Sequence, residues 1–371
     1  MKQYIHLLPV LLMTLLLATA CQSTRESTKN DTQNTVQKES IDTIWNTWDE
    51  VLKESYNNIY FEKDLQCEKP QEVAVYQMEQ AGNVDEKAEQ IRKEYVPDKE
   101  FHKKYYKENP NTVPPGPEYV DEKTGLTWII GDNGFINYSR SSDDTNYLDG
   151  EEDIEKTIFV NRPYQDEEVA LKDGKIMLSE AISMAQKEEE KWKKLSDNEC
   201  SARAKKVEIL PAANGGEEKA LKISFEKTYK GVGILTNQKT LWTSQDKPLS
   251  VEYLSFFDDT LTITSTKGIE RFISNAGAVH RKTMERKLDR IVSLKSAIQI
   301  MGKELASYHD FKISHIDLCY HYVNKNIKRN DAGSVYTTSP CWVFYINEEQ
   351  SKEEFILVDC ENGKLDYIKN Y

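Results

Sequence analysis

Apolar residues at Ile41, Ile44, Trp45, Trp48, Val51 and Leu52 recur at helical spacing and predict a helix from about 41 to 56, with both tryptophans on its buried stripe. The stretch 84–108 is dense in charge and predicts a further helix, broken at Pro97. Residues 109–117 hold four prolines and a glycine and read as a linker or rigid loop. From Glu118 the pattern shortens to strands. The segments 126–130 and 135–138 flank Asn133-Gly134, a strong hairpin signal. Strands at 158–160 and 169–171 precede the turn Asp173-Gly174 and the run 176–178, and a helix is predicted from about 179 to 195.

That helix opens an internal repeat. Leu178, Ala181, Ile182 and Ala185 share one face, and Leu294, Ala297, Ile298 and Met301 stand 116 residues later in the same pattern. Trp192 and Tyr308, and Leu195 and Phe311, keep that spacing. Strands follow each helix, at 207–210, 220–229 and 251–257 in the first copy and at 316–323, 341–346 and 355–358 in the second. The period is too long for a solenoid. A loop at 349–352 would set Val343 against Val358, Phe344 against Leu357, Tyr345 against Ile356, and Cys341 against Cys360. Both faces of that hairpin are apolar, so it needs a cover on each side. One cover is the repeat's own helix, and the other is either the first repeat or a partner. If the other side stays open, Val343, Tyr345, Ile356 and Val358 form a docking face for a membrane partner. Cys341 and Cys360 are expected to be adjacent but not bonded.

The expected fold is therefore α+β: a helical segment at 41–117, then two related helix-on-antiparallel-sheet domains at 118–276 and 277–371. What precedes them is of another kind. Met1-Lys2 leads into an apolar run at 7–20 that stops at Cys21. As a helix this run would reach roughly 21 Å at about 1.5 Å per residue, short of a hydrocarbon core of ~30 Å. Pro9 weakens it further. The order of cationic start, apolar run and small residues is that of a secretory signal spanning 1–20. Residues 22–40 contain no aromatic residue and one large aliphatic, Val36, too little to fold alone, so 21–40 reads as a tether.

Leu17-Ala18-Thr19-Ala20-Cys21 resembles the bacterial lipobox, although Ala18 occupies the place usually held by leucine. The resemblance implies a diacylglyceryl group on Cys21, and two acyl chains suffice for stable anchoring.

Charge and cysteine usage narrow the partners. With 62 acidic against 49 basic residues the formal charge is −13, which argues against a nucleic-acid partner. Besides Cys21 the chain holds Cys67, Cys200, Cys319, Cys341 and Cys360, an odd and sparse set rather than a disulfide framework.

Candidate chemistry is thin. His315, Asp317, Cys319 and His321 alternate along one predicted strand. The two histidines lie about 20 Å apart at ~3.3 Å per residue, so one ion could reach only Cys319, His321 and a cross-strand ligand. The expectation is a half-exposed face, with Ile316, Leu318 and Tyr320 inward and no metal. Asp143, Asp144, Asp149, Glu151, Glu152 and Asp153 fail the calcium-loop template and read as a solvated loop. Arg281, Lys282, Arg286, Lys287 and Arg290 read as the polar side of a segment whose Met284, Leu288 and Ile291 face inward. No G-x-S-x-G, H-E-x-x-H, phosphate-loop or dinucleotide fingerprint occurs, so no catalytic residue and no cofactor is expected.

Cys341-Trp342-Val343-Phe344, then Phe355-Ile356-Leu357-Val358-Asp359 and Asn362-Gly363-Lys364-Leu365, resemble a PepSY-type hairpin. The whole chain is similar to uncharacterised lipoproteins of gut clostridia that carry such domains, and more distantly to accessory regulators of the essential cell-wall sensor kinase of Gram-positive bacteria. The resemblance implies binding or inhibition rather than catalysis. The expected function is that of a lipid-anchored, extracytoplasmic binding or regulatory module. Its partners would be the membrane, through Cys21, and a membrane protein such as a sensor kinase or transporter subunit. A hydrolase of wall polymer or peptide, and a solute-capture lipoprotein of a transporter, are the alternatives.

Overall fold

The structure, a computed structural model, describes residues 36–79, 93, 102–106, 116–121, 126–130, 136–139, 147, 153–196, 200–235, 258–274, 281–305, 310–330, 333–346 and 354–369. The N-terminal part carries β1 (Lys38–Glu39), α1 (Ile41–Asn46), α2 (Trp48–Lys53), β2 (Ile59–Phe61), β3 (Ala74–Glu79), β4 (His102–Tyr106), β5 (Gly116–Asp121), β6 (Leu126–Ile130) and β7 (Ile136–Ser139). The middle part carries β8 (Lys156–Phe159), β9 (Glu168–Leu171), β10 (Gly174–Met177), α3 (Leu178–Ser196), β11 (Ser201–Pro211), β12 (Lys219–Tyr229), β13 (Val232–Ile234), β14 (Asp259–Ile263) and β15 (Arg271–Ser274). Last come β16 (Arg281–Lys287), β17 (Ile291–Val292), α4 (Leu294–Glu304), β18 (Phe311–Asn330), β19 (Gly333–Ile346), β20 (Glu354–Asp359) and β21 (Leu365–Lys369). Among the described residues no helix is long and apolar enough to cross a membrane.

The two long helices start where the repeat places them, at Leu178 and Leu294. Each is followed by an antiparallel meander: β11–β12–β14–β15 after α3, and β18–β19–β20–β21 after α4. Leu178, Ala181 and Ala185 are buried under the first meander with Val207, Ile223, Phe225, Leu261 and Phe272. Leu294, Ala297, Ile298 and Met301 are buried under the second with Ile316, Trp342, Phe344 and Ile356. The expected strand at 251–257, and the pairs at Trp192 and Tyr308 and at Leu195 and Phe311, rest wholly or partly on positions outside the described residues.

The two sheets are not separate. Lys230 and Gly231, at φ 52° and 81°, make a two-residue turn of the kind that closes hairpins, returning β12 into β13. β13 then pairs parallel with β18, Gly233 facing Cys319 and Ile234 facing Tyr320. The described pairings branch at β12, β18 and β19, and Gln37–Tyr371 forms one compact unit.

The N-terminal segment departs from the helical expectation. The predicted 41–56 helix divides at Thr47, whose Oγ1 donates to the Thr43 carbonyl at 3.0 Å and whose φ of −104° leaves helical geometry. Of residues 84–108 only Lys93, which is helical, and 102–106 are described, and 102–106 is strand β4. β2 and β3 are recruited by the second sheet, β2 beside β18 and β3 beside β19 and β16. Val73, Ala74, Val75, Tyr76 and Met78 are all buried, so tertiary burial decides their conformation. The tryptophan expectation matches: Trp45, Trp48 and Trp342 stack within 5.8–6.2 Å of one another under α4. The 281–290 island is a strand through Lys287, and Met284 is 40% exposed rather than inward, whereas Leu288 and Ile291 are buried. The acidic run 143–153 lies, apart from Tyr147 and Asp153, outside the described residues.

The last hairpin is shifted by one residue from the expected register. Trp342 faces Val358, Val343 faces Leu357, Phe344 faces Ile356 and Tyr345 faces Phe355. Beyond it, Asp359 organises the turn: Oδ1 accepts from the Glu361 and Asn362 amides at 2.8 and 2.9 Å, Oδ2 accepts from Ser339 Oγ at 2.9 Å, and Gly363 adopts φ 74°.

Candidate functional site

The parallel joint between β13 and β18 brings chemistry together. Arg203 on β11 and Glu226 on β12 are cross-strand partners. Arg203 Nε donates to Glu226 Oε1 at 2.8 Å, and Nη2 lies 2.7 Å from the same oxygen. Nη1 bonds to the exposed Glu68, and Nη2 stands 3.9 Å from Asp317 Oδ1. On β18, His315 Nε2 lies 2.9 Å from Asp317 Oδ2 and 3.0 Å from Asn161 Nδ2. Asn161 Oδ1 is buried with no hydrogen-bond partner among the described residues. An Nε2–H donating to Asp317 would meet a second donor in that amide group. Turning the amide over would set Oδ1 against the ring nitrogen and satisfy both. Lys205 Nζ sits 3.9 Å from Asp258 and 5.7 Å from the Tyr345 ring, which tilts against His315 at 5.6 Å.

Burial and charge compete at each group. Burial pushes the Glu226 carboxyl up, and Arg203 offsets only part of that push. Burial pulls Asp317 the same way, but its interaction and hydrogen bond with His315, together with Arg203 and Lys205, outweigh it and hold the carboxyl below its ordinary range. Burial acts to depress Arg203, yet Glu226 and Asp317 more than compensate and raise it. Burial drives the Cys319 thiol well above its ordinary value, and Asp317 and Glu226 add to this. A thiol in that position is protonated at neutral pH and a poor nucleophile. His315 and Cys319 are also four residues apart on one strand, about 13 Å at ~3.3 Å per residue, which argues against a nucleophile–base pair. Glu226, Asp317 and Cys319 each offer a ligand atom, and these lie within 4.8 Å of one another.

No protein-family model matches the chain, and no curated protein matches it. Among solved structures it is similar to an uncharacterised protein from Eubacterium rectale ATCC 33656, with a TM-score of 0.55 and 11% identity over 87% of this chain and 99% of that one. At that identity the likeness is one of fold. The C-terminal domain of Bacillus megaterium YpeB also matches, with a TM-score of 0.33 and 12% identity over 77% of this chain and 98% of that one. That score is too low to carry anything over.

The residues expected to form a docking face are not one face. Val343 and Tyr345 point to the side shared with Cys319, Cys341, Phe355 and Leu357. Ile356 and Val358 point to the opposite side, under α4 with Trp342 and Phe344. All four are buried, at 0%, 2%, 0% and 0% exposure, because both sides of the second sheet are covered. The one-residue shift takes Cys360 out of the cross-strand pair: Cys341 faces Asp359 across the hairpin, although its thiol still adds to the rise that burial imposes on the Cys360 thiol. Cys341 instead faces Cys319 and donates to its carbonyl oxygen at 3.3 Å. Among the described residues no disulfide joins Cys67, Cys200, Cys319, Cys341 or Cys360. His315, Asp317 and Cys319 are buried rather than half-exposed, and His321 is set apart near Asp359 and Asp366. Cys21 lies outside the described residues. Sequence reasoning missed Arg203, Glu226 and Asn161. The available signal was charge inside strands otherwise rich in buried positions.

Proposed function

We propose that this chain is an extracytoplasmic lipoprotein, anchored through Cys21, whose folded unit binds a membrane protein rather than turning over a substrate. The observation that carries the reading is the order of parts: an apolar run ending at Cys21, a polar stretch, then a compact unit that begins at Gln37. An anchored unit meets its partner at an effective concentration set by its tether, so a modest interface is enough. The electrostatics support binding as well. The cluster that most resembles catalytic machinery has its cation and carboxylates engaged with each other and its thiol held protonated. A sensor kinase or transporter subunit suits such a module, and its contact surface lies away from Val343, Tyr345, Ile356 and Val358, which are interior.

Replacing Cys21 by alanine is expected to abolish fatty-acid labelling and move the protein from membrane to medium. Labelling that persists in Cys21→Ala would sink the anchor. Crosslinking in intact cells is expected to capture an integral membrane protein. Release of product from peptidoglycan, peptide or glycoside by the purified chain would replace this reading with a hydrolase.

A further inference from the structure

We propose that Glu226, Asp317 and Cys319 form a site for one divalent transition-metal ion, zinc in the first instance, at the joint between the two sheets. The site is independent of the anchoring and binding roles above.

The first argument is the free lone pairs. Arg203 places both its close contacts on Glu226 Oε1, and among the described residues no hydrogen bond occupies Oε2. His315 takes Asp317 Oδ2, while Oδ1 has only the Arg203 nitrogen at 3.9 Å. Those open oxygens and Cys319 Sγ belong to residues exposed by 5%, 4% and 1%. One ligand atom from each residue lies within 4.8 Å of those of the other two, so the three need to close by only about 1 Å to match ~2.0–2.3 Å bonds to one tetrahedral ion.

The second argument is the space between them. A Cβ on Gly233 would stand 3.0 Å from Cys319 Sγ and 3.0 Å from Glu226 Oε2. The glycine on β13 therefore keeps clear the gap onto which both ligand atoms converge, and any larger residue there would fill it.

The donor set selects the ion. One sulfur and two carboxylate oxygens suit zinc, with a water completing the fourth position, and the thiolate disfavours calcium and magnesium. Binding involves no oxidation: the Cys319 S–H proton leaves to solvent as the sulfur–metal bond forms. Affinity therefore rises with pH.

Metal-free purified chain titrated with cadmium should develop the ultraviolet charge-transfer band of a metal thiolate, saturating at one ion per chain, and zinc should displace the cadmium. Cys319→Ser should remove the band. Glu226→Gln, Asp317→Asn and Gly233→Ala should each weaken zinc at least tenfold, and Cys200→Ser should leave it unchanged. If Cys319→Ser does not fold, the band in the unaltered chain and the Gly233→Ala variant decide. Absence of the band, or a band that survives Gly233→Ala and Asp317→Asn at full affinity, overturns the site.

Discussion

The two helix-on-meander regions share an order of elements and differ in how their sheets are covered. In the first, β14 alternates buried and half-buried residues along Asp259–Ile263, whereas its neighbour β12 is buried without alternation from Ile223 to Thr228. The core of this region packs under one long helix of 19 residues. In the second, Phe355, Ile356, Leu357 and Val358 are buried without alternation, and separate cores lie on the two sides. Its helix has only 11 residues, and α1 and α2 complete the cover, with Trp45 and Trp48 stacked on each other and packed against Trp342 of the sheet. An apolar sheet face is therefore not a docking site in itself. On the side away from α4, Val343 and Tyr345 cluster with Leu235, just after β13, and Lys205 lies over the Tyr345 ring, so the chain's own first region takes the place that a partner would otherwise have filled.

Substitutions in the two regions and at their joint would break or sharpen that contrast. The largest effect is expected from Val343→Lys and Ile356→Lys, one on each side of the second sheet. Each buries an unpaired ammonium and should cost more than about 4 kcal/mol in urea unfolding. A variant that folds normally would mean that its side is open after all. Trp342→Ala removes a fully buried ring and the Nε1 bond to the Val292 carbonyl at 2.8 Å, and should cost about 3–5 kcal/mol. Because β13 joins the sheets, both regions should still unfold in one transition; two transitions would make them independent.

Arg203→Leu tests the joint itself. Glu226 and Asp317 would lose their shared cation, at a cost of about 3 kcal/mol at neutral pH. The cost should shrink in acid as the carboxylates protonate. Smaller again, Ser293→Ala removes the hydroxyl that caps α4 by accepting from the Ser296 amide at 3.1 Å, worth about 1 kcal/mol of melting stability.

The first region offers an effect of opposite sign. Burial drives the Glu189 carboxyl on α3 well above its ordinary value, Asp259 adds to this, and Lys227 offsets part of it. A carboxyl raised on folding favours the native state at low pH, and that stability is lost as pH rises from the unfolded value toward the folded one. Glu189→Gln should thus stabilise the protein at neutral pH and change little in acid. Equal stability profiles for the two proteins would show that Glu189 ionises freely.

Local periodicity was enough to mark the starts of both long helices, the tryptophan stripe, the antiparallel pairing of 126–130 with 136–139 and a second sheet that needs two covers. Those features are written in spacing that a short window contains. The register of the last hairpin was not legible, because Trp342 to Ile346 and Phe355 to Val358 are apolar on both faces. A one-residue slip there exposes no polar mismatch, so pattern alone cannot choose between pairings. Nor was the strand state of 74–79, whose residues gain their burial only from β16 and β19. The cluster of Arg203, Glu226, Gly233, Asp317 and Cys319 belongs to the tertiary structure alone. Its members sit on four strands, and only the turn at Lys230-Gly231, by laying β13 parallel to β18, brings their side chains within reach of each other.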